Sequence, residues 1–145
     1  MLTPTPFVWF DGELVPWERA TVHVLTHGLH YGSGVFEGIR VYATAEGPAV
    51  FRLDDHMRRL ERSARALRIP LSWSAAQLSA AALDLVRAND LPACYLRPIV
   101  FYGTGSIGLN LSNDSQQGFR ASPSLSLADV LSVNATYDAV AGLSA

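Results

Sequence analysis

The apolar pattern begins with a short aromatic and β-branched run, Phe7–Phe10, that stops at Asp11-Gly12 and resumes at Glu13-Leu14-Val15. Asp-Gly is the strongest two-residue hairpin signal, so the pattern predicts a β-hairpin, closed by Pro16 and Trp17. Residues 21–30 have mixed character, and His27, Gly28 and His30 predict a loop or a single turn. From Val35 to Thr44 the chain is again β-branched and aromatic, which predicts one long strand. Ala45-Glu46-Gly47-Pro48 supplies a turn and Ala49–Arg52 the returning strand.

The period then changes from 2 to 3.6. Met57, Leu60, Ala64 and Leu67 step along one face of a helix that starts near Asp54, with Asp54 or Asp55 as its cap and Pro70 just past its end. A second helix starts at Ser74 with the capping-box pattern Ser-Ala-Ala-Gln. It buries Leu78, Ala82 and Leu85 and stops at Asn89-Asp90. Ala93–Tyr102 is a further strong strand. Strands followed by two helices and another strand predict an α/β (α+β) domain, a mainly antiparallel sheet with two helices on one face. Residues 1–110 form this domain, and 111–145 read as a divergent, serine-rich tail whose order the sequence leaves open. There, Leu125, Leu127, Val130, Leu131 and Val133 fit a short helix or a strand.

Composition narrows the function classes. No apolar run approaches 18 residues, so no membrane helix is predicted. The first residues carry neither the basic region nor the cleavage site of a secretory signal. The single cysteine, Cys94, excludes an intramolecular disulfide, and the expected setting is a reducing one, the cytoplasm. Net charge is −2, and neither a nucleic-acid nor a membrane partner is expected. His23, His27, His30 and His56 lack zinc-site spacing, and no metal is expected. Gly32-Ser33-Gly34 lacks the frame of a phosphate loop. All 11 basic residues are arginine, and this bears on chemistry. Catalysis through a Schiff base needs a side-chain amine that can lose its proton, and guanidinium cannot replace it.

Candidate chemistry follows from strand alternation. Phe36, Gly38, Arg40 and Tyr42 share one face of the first long strand, and Val35, Glu37, Ile39 and Val41 share the other. Tyr95, Arg97, Ile99 and Phe101 share a face of the last strand. Aromatic rings beside arginines, with open space at Gly38, can hold an apolar side chain or accept a carboxylate. By spacing alone, core packing plus a surface ion pair explains the same pattern. Likewise, Arg59 sits on a helix that also bears Arg58, Arg62, Arg65 and Arg68, and a solvated face accounts for it equally.

In order and spacing, WFDGELVPW, HGLHYGSGVFEGIRVY, FRLDDHMRRLERSA and YLRPIVFYG with IGLN resemble the small domain of the fold-type IV aminotransferases, which depend on pyridoxal 5′-phosphate. FEGIR together with YLRP resembles the branched-chain amino acid aminotransferases rather than the D-amino acid transaminases or aminodeoxychorismate lyases. The resemblance runs from residue 7 to about 110. It implies transfer of an amino group from leucine, isoleucine or valine to 2-oxoglutarate. It implies that Arg59 holds the cofactor phosphate and that Phe36 and Gly38 wall the substrate pocket. Arg40, Tyr95 and Arg97 fall where the family recognises the side-chain carboxylate of glutamate. Tyr31 and Leu109 match positions that reach a neighbouring subunit's pocket, which implies a homo-oligomer, a dimer or larger.

The family's Schiff-base lysine belongs to a C-terminal domain that this sequence does not match. The chain alone is therefore expected to hold no catalytic residue, to bind the cofactor weakly and to be inactive. A truncated or frameshifted product would read this way, and so would a natural short paralogue. Uncovered apolar surface at Phe36 and Leu109 predicts self-association. The competing reading is a non-enzymatic module that binds amino or oxo acids or pairs with a full-length subunit.

Overall fold

The computed structural model describes residues 4–104 and the backbone of a strand at 121–128. Its first element is the expected hairpin, β1 (Phe7–Phe10) and β2 (Glu13–Pro16). Asp11 and Gly12 both have positive φ, 52° and 103°, as a two-residue turn matched to strand twist requires. Trp17–Arg19 add a 3-10 turn, and α1 (His27–Tyr31) occupies the region read as a loop or turn.

The single strand expected over 35–44 is two strands, β3 (Gly34–Phe36) and β4 (Ile39–Thr44). Both pair antiparallel with β6 (Cys94–Tyr102), Phe36 opposite Ile99 and Ile39 opposite Leu96, so the register is unchanged across the gap. The gap faces Pro98. Glu37 N–H donates to the Pro98 carbonyl at 2.9 Å, but Pro98 has no N–H to return. Half of one ladder pair is missing, yet every side chain keeps its face.

A return strand, β5 (Gly47–Val50), precedes α2 (Leu53–Ala66) and α3 (Ala75–Ala88). The Ser74 capping box forms as expected: Ser74 N–H donates to Gln77 Oε1 at 2.9 Å, and Gln77 N–H to Ser74 Oγ at 3.3 Å. The cap of α2 differs from expectation. Its N-cap is Arg52 in the left-handed region, without a side-chain cap. Asp54 instead accepts from Ser79 Oγ at 2.8 Å, tying α2 to α3, and Asp55 pairs with Arg52 at 2.8 Å. Both carboxylates still lie in the first turn, where the helix dipole favours them.

At its other end, α2 closes in a Schellman arrangement. Arg68 is left-handed at φ 55°, Arg68 N–H donates to Arg65 O, and Ile69 N–H donates to Ala64 O. This turn explains why Leu67, expected on the buried stripe, is 47% exposed while Ile69 is 3% exposed.

The sheet runs β2-β1-β7-β6-β4-β5, with β3 also on β6, and every pairing is antiparallel. β7 (Ala121–Ala128) falls in the segment left open between helix and strand; it lies between β1 and β6. The core joins Ile39, Val41, Leu96 and Val100 of the sheet to Met57, Leu60, Leu78 and Leu85 of the helices. Burying such side chains stabilises by about 1.5–3 kcal/mol each. Asn89 ties α3 to β1. Its Oδ1 accepts from Phe7 N–H at 2.9 Å, and its Nδ2 donates to Phe7 O at 3.1 Å and Leu85 O at 2.9 Å.

Candidate active-site face

Strand β6 alternates between its two faces throughout. Cys94, Leu96, Pro98, Val100 and Tyr102 are buried, whereas Tyr95, Arg97, Ile99 and Phe101 are partly open on the other face. Because β3 and β4 keep register with β6, Phe36, Gly38 and Arg40 join that open face. Arg40 stands opposite Tyr95. The Arg97 guanidinium lies 4.7 Å from the Phe36 ring centre and 5.1 Å from that of Tyr95, with Nη2 donating to Tyr95 Oη at 3.4 Å. Gly38 makes this possible. A Cβ there would lie 2.8 Å from Tyr95 Cζ and closer still to Oη, so the phenol occupies the space a side chain would fill.

A cation in contact with two rings keeps its orientation at small entropic cost. Such a surface accepts a carboxylate at the guanidinium fork and hydrocarbon against the rings. Beside it, Phe36, Val8, Phe10, Leu29, Ile99 and Phe101 line a concavity of about 690 Å³. Phe36 is 63% exposed, so the wall is open for a bound group or a packed neighbour.

The sequence-predicted residues thus divide. Phe36, Gly38, Arg40, Tyr95 and Arg97 come together. Tyr31 stands elsewhere, at the far end of β6, its ring 4.5 Å from that of His27, which packs on Tyr102. Leu109 lies outside the described residues. Arg59 is on the helix side of the sheet edge, on α2.

Arg59 leads to two residues that spacing did not single out. Glu37 points from the β3–β4 break toward α2 and is 5% exposed. Its carboxylate takes a bidentate grip from Arg59, Nε to Oε1 and Nη2 to Oε2, both at 2.6 Å. His56 Nδ1 lies 2.9 Å from Oε2. With the proton on Nδ1 the imidazole donates to the carboxylate, and the 3.3 Å approach of Arg59 Nη2 to the same nitrogen is then only a contact. Burial pushes the Glu37 carboxyl up, but the hydrogen bonds and charges of Arg59 and His56 outweigh it and hold it below the ordinary range. The same pairing pushes the Arg59 guanidinium up. One signal for Glu37 was present in the sequence: it is the only charge in the inward series Val35, Glu37, Ile39, Val41.

Glu37 uses one edge of the Arg59 fork. Nη1 makes no hydrogen bond among the described residues, whereas Nη2 also lies 3.3 Å from His56 Nδ1, which accepts from it when the imidazole proton is on Nε2. Arg59 lines a groove of about 710 Å³ that also presents Arg52, Arg58, Arg62 and Arg65, with Asp55 and Glu61 as its acids. A phosphate dianion needs free donors on a fixed cation, so these residues fit a phosphate-bearing group. Among the described residues no cluster of His, Cys, Asp and Glu suits a metal, and no helix is long and apolar enough to cross a membrane. Cys94 is fully buried, and burial pushes its thiol up to about 11, which leaves it a packing residue.

The chain is similar to known proteins in sequence and fold. The branched-chain-amino-acid aminotransferase of Salmonella typhimurium is 50% identical over 104 residues, which are 72% of this chain and 34% of that protein. The crystal structure of the Escherichia coli branched-chain amino acid aminotransferase superposes with a TM-score of 0.79 at 42% identity, covering 85% of this chain and 39% of that one. The branched-chain amino acid aminotransferase from Thermoproteus uzoniensis, solved with norvaline, gives a TM-score of 0.78 at 40% identity, over 86% and 41% of the two chains. The chain thus matches about a third of the length of such relatives, in their N-terminal part. The profile of the amino-transferase class IV family matches residues 34–132, reaching past Asn110 and through β7, and on that match the chain belongs to this family.

Proposed function

We propose that the chain supplies the substrate-recognising half of a branched-chain amino acid aminotransferase site. The observation that carries this reading is the Arg97 guanidinium against both the Phe36 and Tyr95 rings, with the Tyr95 phenol lying over Gly38. An aminotransferase that exchanges leucine, isoleucine or valine with 2-oxoglutarate must seat hydrocarbon and carboxylate in one place. Here, Phe36 and Tyr95 offer the hydrocarbon surface, and Arg97, with Arg40 beside it, offers the carboxylate fork. Arg59 would hold the phosphate of pyridoxal 5′-phosphate through its open edge. That cofactor, when bound, carries the amino group and withdraws electrons from the substrate's Cα. No side chain of this sequence can form a Schiff base with it, because the sequence has no lysine. The amine must therefore come from a lysine-bearing C-terminal domain, and the isolated chain is inactive. Tyr31 and Leu109 would serve a neighbouring subunit, in a dimer or larger assembly, in the cytoplasm.

The test is reconstitution. The chain is co-expressed with the lysine-bearing C-terminal domain of a branched-chain aminotransferase, and glutamate formation from leucine and 2-oxoglutarate is followed. Activity should appear, and Arg97→Ala should raise the KM for 2-oxoglutarate by roughly tenfold or more, the loss of one charge-assisted fork. Equal KM values for Arg97→Ala and the parent pair would refute the assignment.

A further inference from the structure

We infer that Glu37 and His56 are positioning residues for Arg59, fixing its guanidinium so that one edge faces outward to a phosphate monoester. The inference deepens, and rests on, the reading of Arg59 as the phosphate-holding residue.

An arginine on a solvated helix face normally makes loose, local pairs. Among the described residues, the neighbours Arg58 and Arg65 make only intrahelical ones, at 3.7 Å with Asp55 and 3.5 Å with Glu61, and their side chains are 66% and 76% exposed. Such pairs do not fix a geometry. Arg59 is 59% exposed and yet makes two 2.6 Å bonds to a carboxylate that is 5% exposed and belongs to another element. A guanidinium has two edges that each match an oxyanion. Glu37 occupies the edge made by Nε and one Nη2 hydrogen, and Nη1, without a hydrogen bond among the described residues, belongs to a side chain that lines the arginine-rich groove.

Glu37 is itself held. Its N–H donates to the Pro98 carbonyl, and His56 contacts Oε2 from the preceding turn of the helix. The missing N–H of Pro98 therefore interrupts the ladder at the residue whose side chain must reach across to α2. The helix contributes His56 and Arg59 at a spacing of three, so both face one carboxylate. Arg59 reaches the groove already oriented, and a phosphate binding there need not immobilise a long side chain.

A carboxylate near an anion site also repels the anion, so two opposed effects must be separated. Repulsion acts on any anion in proportion to its charge, so through this effect removing the carboxylate can only strengthen the binding of both phosphate and chloride. Orientation matters only for an anion that accepts from a fork. We would titrate the full chain with inorganic phosphate and with chloride, reading the Arg59 Nε–H resonance by ¹⁵N NMR, in the parent, Glu37→Gln and His56→Ala. The parent should show a saturable phosphate response at Arg59. Glu37→Gln should weaken phosphate about fivefold, the equivalent of ordering one long side chain, without weakening chloride. His56→Ala, on a solvent-facing helix, should act in the same direction by about twofold. Should Glu37→Gln misfold, the His56→Ala result alone decides between orientation and no effect. Phosphate affinity equal to or tighter than the parent's in both variants overturns the positioning role while leaving Arg59 as a phosphate ligand. A parent with no Arg59 response overturns both readings together.

Discussion

Replacing Gly38 by alanine puts the strongest demand on the pocket geometry. The built Cβ lies 2.8 Å from Tyr95 Cζ and 3.5 Å from Cε1, with Oη nearer than either. Carbon pairs settle at about 3.5–4.0 Å, so the end of the ring must move by roughly 1–2 Å. The ring is rigid, and Tyr95 must therefore rotate about χ1 or χ2 and leave Arg97. Overpacking costs about 1–3 kcal/mol, and the partly open position of Tyr95 places this case near 1. Losing the ring over Arg97 adds about 0.5–1 kcal/mol. A total of roughly 2 kcal/mol should lower the urea midpoint by about 1 M. The decisive assay is a double-mutant cycle. Tyr95→Phe should not relieve the clash, because Cζ remains. In a Tyr95→Ala background, Gly38→Ala should cost nothing measurable. Equal cost of Gly38→Ala in the parent and in Tyr95→Ala would refute the close approach on which the pocket depends.

Three further outcomes follow from the same structure. Asn89→Ala leaves Phe7 N–H without its Asn89 acceptor and Phe7 C=O with only the Thr5 hydroxyl, and should destabilise by about 2 kcal/mol in urea unfolding, against near neutrality for Asp84→Ala on the exposed face of α3. The depressed Glu37 carboxyl contributes stability that is fully present above the ordinary glutamate value of about 4.5 and is lost as pH falls through the lower native value. Glu37→Gln should therefore flatten the acid limb of stability against pH, and an unchanged acid limb would contradict the pairing. Cys94, fully buried and with its thiol pushed up to about 11, should react with a thiol reagent only at the rate of unfolding. Rapid labelling at neutral pH in native buffer would show that β6 is open.

Residues whose environment is set by period alone were legible in the sequence. Tyr95, Arg97, Ile99 and Phe101 share a face because alternation along a strand is geometric, and Leu78, Ala82 and Leu85 are buried because a helix repeats every 3.6 residues. The Ser74 capping box was legible because both of its partners lie within four residues of each other. Most of what sequence missed depends on distant partners, and the rest on one local backbone turn. The break between β3 and β4 is caused by a proline on another strand. Asp54 leaves the capping role for Ser79 on another helix. Leu67 turns outward because the left-handed turn at Arg68 hands its place to Ile69. Glu37 is the instructive case. A carboxylate in an apolar inward series is a visible anomaly, but its partners, His56 and Arg59, become visible only when α2 is laid against the sheet edge.

Centrally, this chain is proposed to recognise a substrate's side chain while holding no amine to act on it. Purified chain, supplied with pyridoxal 5′-phosphate, leucine and 2-oxoglutarate and monitored for glutamate, measures that directly. The expected result is no glutamate above the rate of the free cofactor. Sustained turnover by the chain alone would contradict it.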